Sequence, residues 1–196
     1  MVPTIEEAEN LLKEAEPHNP GPWVNHCQVA AYCAKTIASF CKDLNPEKAY
    51  VLGLLHDIGR RFGTRHMGHV YDGYHYMTSL GYDEVARVCL THSFSIQELG
   101  SYIGKVDVTE QEYKVVEQAL LQLTYDDYDR LIQLCDALAD AQGVVNVEVR
   151  MADVKKRYGS YPPKKWNKTL ELKAYFDQKI GQDLYNLLKP KMMNER

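Results

Sequence analysis

Apolar residues recur with a helical period along almost the whole chain. They occupy positions i, i+3, i+4 and i+7 in successive stretches, and most stretches are bounded by Gly, Pro, Asn or Asp. This pattern predicts helices over residues 4–16, 23–42, 45–59, 69–81, 82–93, 109–123 and 126–143. Thr4 is a suitable N-cap for the first helix because two acidic residues follow it in the first turn. No alternating strand pattern and no internal repeat interrupt the series, so the sequence predicts an all-α fold.

The pattern weakens after Gly143, where β-branched residues, a basic cluster and a Pro-Pro pair follow one another. We predict a short helix and then a loop over residues 143–168. The basic cluster KKRYG at 155–159 could cover a phosphorylated ligand, although a run of charge is more often a solvated face. An amphipathic helix is predicted over 169–189, with Gly181 as a weak point inside it.

Length and charge set broad limits on function. A chain of 196 residues with a formal charge of −4 fits one domain, and it has no bulk attraction for nucleic acid or for anionic membranes. Neither a signal-peptide pattern nor an apolar run of membrane-spanning length is present. The five cysteines form no Cys-x-x-Cys pair, which is typical of reduced cysteines in a cytoplasmic protein. The expected partner is therefore a small molecule, and a homo-oligomer is compatible with these data.

Several polar residues fall on helix faces that are otherwise apolar. His26, for example, shares its face with Val29, Ala30 and Cys33. One such histidine would usually be a hydrogen-bonded core residue, but several inward-facing sites on different helices can be satisfied together by a metal centre. The residues of this predicted centre are His26, His56, Asp57, His69, His92 and Asp136. Imidazoles and carboxylates suit Mn, Fe, Co, Zn or Mg, and two ions bridged by Asp57 would use all six residues.

The order of these residues resembles that of the HD-domain superfamily of metal-dependent phosphohydrolases. The segment HDIGR at 56–60 is similar to the most diagnostic part of that family, and the resemblance covers residues 22–142. It implies an all-α HD-domain bundle with the metal site at its centre and with residues 143–196 as a helical extension of the same domain. It also implies that His26, His56, Asp57 and Asp136 bind a first divalent metal, whereas His69 and His92 serve a second. His66 could replace His69 as a ligand or support it from outside the ligand set.

The resemblance implies hydrolysis of a phosphoester or phosphoanhydride, with a nucleotide as the expected substrate. Two divalent ions can activate a water molecule and clamp an in-line displacement. In this scheme Asp57 and Arg60 are catalytic, because a guanidinium three residues after Asp57 offers a planar fork to phosphoryl oxygens. Arg61 and Arg65 are further candidates for substrate binding, although a solvated basic turn explains them equally well.

Two other classes of function remain open from the sequence. The same set of histidines and aspartates resembles that of HD-type diiron oxygenases, which cleave C–C or C–P bonds. A non-catalytic nucleotide-sensing module is the third possibility, but such a module usually lacks some ligands, and all six are present here.

Overall fold

The structure is a computed structural model that describes residues 1–189. Its α-helices pack into a bundle, and the predicted all-α class is confirmed. The helices are α1 (Ile5–Ala15), α2 (Trp23–Ala38), α3 (Pro46–Leu55), α4 (Gly68–Ser79), α5 (Asp83–Thr91), α6 (Glu110–Leu121), α7 (Asp127–Leu138), α8 (Val147–Tyr158), α9 (Pro163–Ile180) and α10 (Leu184–Leu188). Short 3₁₀ turns lie at Glu16–His18, Ile58–Phe62 and Leu99–Ser101.

Helices α2 and α3 form the centre of the core. Ala30, Ala31 and Ala34 are fully buried on α2, and small side chains of this kind let a neighbouring helix approach closely. Gly53 on α3 uses that space, since a Cβ atom at this position would lie 2.8 Å from the Cα atom of Ala31. The close approach places His26 and the C-terminal end of α3 side by side.

The predicted helix over 45–59 is too long. Helix α3 ends at Leu55, and the chain passes through Asp57 into the 3₁₀ turn Ile58–Phe62. Gly59 allows this turn to pack against the start of α4, because a Cβ atom there would lie 2.0 Å from the backbone oxygen of His69. A continuous helix would not bring Asp57 and His69 together in this way.

The predicted helix over 126–143 is also too long, and so is the one over 23–42, since α2 ends at Ala38. Helix α7 ends at Leu138, and the chain then forms a small antiparallel hairpin of β1 (Ala139–Asp140) and β2 (Gly143–Val144). Gly143 has a φ of +135°, a conformation that glycine adopts without strain. The hairpin frees the backbone oxygen of Ala139 for the site described below.

The C-terminal region contains more helix than the sequence predicts. Helix α9 begins at Pro163 rather than at residue 169, because proline is well suited to the first position of a helix. Gly181 is the residue that ends α9, in the left-handed conformation with φ +73°. The predicted final helix is therefore two helices, α9 and α10.

Two observations bear on the environment of the chain. Among residues 1–189, none of the helices has both the length and the apolar character that crossing a membrane requires. The five cysteines are buried and free.

Candidate metal centre

The fold brings the six predicted ligands to one place, from five different parts of the chain. His26 lies on α2, and His56 and Asp57 lie where α3 passes into the 3₁₀ turn. His69 is in the first turn of α4, His92 directly follows α5, and Asp136 is in the last turn of α7. All except Asp136 are buried, and Asp136 is partly exposed.

The six residues form two adjoining groups that share Asp57. His26, His56 and Asp57 each offer an atom within 4.8 Å of the others, and so do Asp57, His69 and His92. Asp136 adjoins the first group, with its Oδ1 atom 3.0 Å from Nε2 of His26 and 3.8 Å from Nε2 of His56. In the second group, Oδ1 of Asp57 lies 3.1 Å from Nε2 of His69 and 3.4 Å from Nε2 of His92.

The backbone fixes the orientation of all four imidazole rings. Nδ1 of His26 lies 3.2 Å from the oxygen of Ala139, and Nδ1 of His56 lies 2.7 Å from that of Gly53. Nδ1 of His69 faces the oxygen of His66, and Nδ1 of His92 lies 2.9 Å from that of Cys89. A carbonyl oxygen can only accept, so each Nδ1 carries the proton and donates it. In the neutral ring the Nε2 lone pair is then left to face the site.

Within the cluster, these Nε2 lone pairs face other acceptors rather than hydrogen-bond donors. Nε2 of His26 lies 3.3 Å from Nε2 of His56, and the corresponding atoms of His69 and His92 are 3.2 Å apart. Oδ1 of Asp57 is buried and has no hydrogen-bond partner among the described residues. Burying so many acceptors without donors is costly, and a cation between them would remove that cost. The donor set fits a divalent metal, and these residues could hold one.

The electrostatics of the site also favour a cation. Burial acts to raise the pKa of Asp57, but the charge of Arg60 holds it well below its usual range. Burial and the charge of Arg60 lower the pKa of His69 to about 4, so this ring is neutral at pH 7, as a metal ligand must be.

The family comparison agrees with this geometry. The family model described as HD domain matches residues 23–141, which is more than half of the chain. The chain belongs to the HD domain family. The resemblance predicted from the sequence is thereby confirmed, and all six residues of the centre lie within the matched part of this HD domain protein. No curated protein and no solved structure matches the chain significantly.

Arg60 lies beside the centre, as the sequence predicts. Its Nε atom donates to Oδ2 of Asp57, while Oδ1 of the same carboxylate faces His69 and His92. Residues three apart eclipse one another in a 3₁₀ turn, which explains why the two side chains meet. Arg60 also lines the cavity next to the cluster, so its guanidinium can face both Asp57 and a ligand.

Arg61 and Arg65 have other partners. Arg61 donates to the hydroxyl of Tyr76 and lies over its ring, 4.5 Å from the centroid. Arg65 forms ion pairs with Asp72 at 2.8 Å and Glu112 at 2.9 Å. Neither arginine lines the two cavities beside the cluster, and their role in substrate binding stays a prediction.

His66 contributes through its backbone rather than through its ring. Its carbonyl oxygen accepts the hydrogen bond from Nδ1 of His69. The ring lies edge-on to Tyr158, with the two centroids 6.0 Å apart, and it belongs to neither group of potential metal ligands.

A cavity of about 170 Å³ opens beside His69, His92 and Asp136 and adjoins a cleft of about 300 Å³. Four cationic side chains line the smaller cavity, and three of them come from α8 and α9, outside the matched HD domain. The four cations are Arg60, Arg150, Arg157 and Lys165, and the tyrosines of the wall are Tyr102, Tyr158 and Tyr161.

Most residues of this wall are not among those predicted from the sequence. The basic cluster at 155–159, a predicted candidate for covering a ligand, contributes Arg157 and Tyr158 to the cavity lining. Arg150 carried a usable signal, because Arg150, Val154 and Arg157 are spaced i, i+4, i+7 and share one face of α8. Lys165 carried none, because its position depends on how α9 docks against the rest of the bundle.

Proposed function

We propose that this HD domain protein is a metal-dependent phosphohydrolase with two divalent ions, and that its substrate is a small phosphorylated molecule such as a nucleotide. One observation carries the proposal. A centre of four histidine Nε2 atoms and two carboxylates lies directly beside a cavity lined by four cationic side chains. The centre suits metal ions, and the cavity suits an anion next to them.

Each group of ligands would hold one ion, with Asp57 contributing to both. His26, His56 and Asp136 would complete the first set, and His69 and His92 the second. When bound, divalent ions supply a water-derived nucleophile at neutral pH and stabilise negative charge on phosphoryl oxygens. The hydrogen bonds from the four Nδ1 atoms to backbone oxygens hold the rings in place for this role.

Arg60 is the protein group best placed to bind the reacting phosphate. It is anchored through Nε on Asp57, and its remaining N–H groups are available to an anion in the cavity. Such donors stabilise the charge that develops during phosphoryl transfer. Tyr102, Tyr158 and Tyr161 line the same cavity and offer surfaces for a sugar or a base. The free, buried cysteines fit a reducing compartment such as the cytoplasm.

A direct test is phosphate release from a panel of nucleotides, phosphomonoesters and phosphodiesters, with Mn²⁺, Fe²⁺, Co²⁺, Zn²⁺ or Mg²⁺ added to metal-free protein. We expect metal-dependent turnover that Asp57→Asn abolishes. His75→Ala is the matched control, because His75 is exposed on α4 and lies outside both groups of ligands. Oxygen consumption by the Fe²⁺ form, without phosphate release in any form, would instead support an HD-type oxygenase.

A further inference from the structure

Two cationic side chains in the cavity have unused hydrogen-bonding capacity. The first is Lys165 in the first turn of α9, whose Nζ atom donates to the oxygen of Ser93 at 2.7 Å and to that of Ser101 at 3.2 Å. An ammonium group has three donors, so one is left over. Within residues 1–189 no carboxylate lies within ion-pair distance of Nζ. Its charge therefore faces the cavity without a paired anion.

Arg150 on α8 is the second. Its ion pairs with Asp140 and Asp153 are long, at 3.6 and 3.7 Å, and its guanidinium forms no hydrogen bond with any described residue. Only 23% of its side chain is exposed. A guanidinium has five donors, and leaving all of them without acceptors at a largely buried position is unfavourable unless a ligand supplies the acceptors.

Both cations line the cavity that also contains Arg60 and Asp136. Arg60 differs from them because it is already paired with Asp57 beside the metal ligands. The cavity thus has one cation at the metal centre and two underused cations on the wall formed by α8 and α9. Arg157, which also lines it, is paired with Asp153 at 2.9 Å.

We propose that Arg150 and Lys165 form a subsite for a second phosphate group, so that the protein selects diphosphates and similar polyanions over simple monophosphates. This inference rests on the proposed function, since it places the reacting phosphate at the metal centre. The planar fork of Arg150 can bind two phosphate oxygens, and the ammonium of Lys165 can bind a third. Both residues lie outside residues 23–141, so the subsite belongs to the helical extension rather than to the matched HD domain.

The test compares two ligands that cannot be hydrolysed: methylenediphosphonate, with two phosphonate groups, and methylphosphonate, with one. Calorimetry on Mn²⁺-loaded protein gives the ratio of their dissociation constants. We expect the wild type to favour the diphosphonate by about tenfold or more, as for an added charge-assisted contact. Arg150→Met and Lys165→Met should each remove most of this preference while leaving methylphosphonate affinity unchanged.

Lys164→Met is the matched control, because Lys164 is exposed in the same turn of α9 and does not line the cavity. It should keep the wild-type ratio. Metal content and melting temperature are measured for each variant. If Lys165→Met binds less metal or melts at a lower temperature, the result for Arg150→Met alone tests the proposal. An unchanged ratio in Arg150→Met, or an equal loss of affinity for both ligands, would overturn the proposal. Neither ligand requires turnover, so absence of hydrolysis would contradict the proposed function without affecting this measurement.

Discussion

Nε2 of His69 lies 3.1 Å from Oδ1 of Asp57, and no hydrogen bond joins them. The ring proton is on Nδ1, where it is donated to the backbone oxygen of His66. Two acceptors at this distance repel one another unless a cation lies between them. The same relationship recurs between His26 and Asp136, whose Nε2 and Oδ1 atoms are 3.0 Å apart. We therefore infer that metal ions join helices α2, α4, α5 and α7 through these side chains.

Removal of metal should destabilise the protein. The ligands come from separate helices, so an ion binds the folded chain far better than the unfolded one. Free metal at 100 times its dissociation constant adds about 2.7 kcal/mol to the free energy of unfolding. We expect the melting temperature to fall on chelation and to recover on metal addition. Identical melting curves for verified metal-free and metal-loaded protein would show that these helices are not joined by metal.

Asp57→Asn should remove at least one ion and nearly all hydrolysis. The substitution preserves size but takes away the charge that both groups of ligands share. It also leaves Arg60 without the carboxylate that anchors its Nε atom. Elemental analysis and phosphate release measure the two effects separately. Full metal content in Asp57→Asn would mean that this carboxylate does not bridge the groups.

Arg60→Ala should keep its metal and lose transition-state stabilisation. We expect kcat/KM to fall by about 100-fold, equivalent to about 3 kcal/mol, and Arg60→Lys to recover only part of it. Arg130→Ala is a matched control, because Arg130 also pairs with an aspartate three residues earlier, Asp127 at 2.8 Å, and neither of these residues lines the cavity. Wild-type kinetics in both Arg60 variants would exclude a phosphate-binding role for Arg60.

Preference for the diphosphonate should weaken as the pH rises through about 8. Burial lowers the pKa of Lys165 to about 8, opposed by Asp136, so its ammonium is charged below this pH and neutral above it. Burial raises the pKa of Tyr102 and Tyr161, which keeps these two cavity tyrosines neutral over this range. Lys165→Arg retains its charge throughout.

The measurement is the difference between wild type and Lys165→Arg across pH 7 to 9, since titration of the ligand and of metal-bound water affects both proteins. We expect the preference of the wild type to decline relative to that of the variant. Parallel pH profiles would show that the charge of Lys165 does not contribute to binding.

The helices and the set of inward-facing residues were predictable because both follow from local periodicity. His26 and His92 can be recognised in the sequence as polar residues on apolar helix faces. The segment HDIGR at 56–60 can be recognised by its similarity to the most diagnostic part of the HD-domain family. The orientation of three rings is also local, since His56, His69 and His92 each use a backbone oxygen three residues earlier. For His56 and His92 the acceptors, Gly53 and Cys89, lie in the last turns of α3 and α5, where helix ends leave carbonyl oxygens unpaired.

The remaining features depend on contacts between distant parts of the chain. The acceptor for His26 is Ala139, and it is available only because α7 gives way to the hairpin. Arg61 and Arg65 look like Arg60 in sequence, but Tyr76, Asp72 and Glu112 determine where they point. Lys165 is held at the site by hydrogen bonds to the backbone oxygens of Ser93 and Ser101, which lie 72 and 64 residues away in the sequence.

An anomalous diffraction map of crystals of the Mn²⁺-loaded protein would show directly whether the six residues hold two ions. We predict two peaks on either side of Asp57, one in contact with His26, His56 and Asp136 and the other with His69 and His92. His69→Ala should keep the first peak and lose the second. A map without a peak at Asp57, or with metal only at surface residues, would contradict the account.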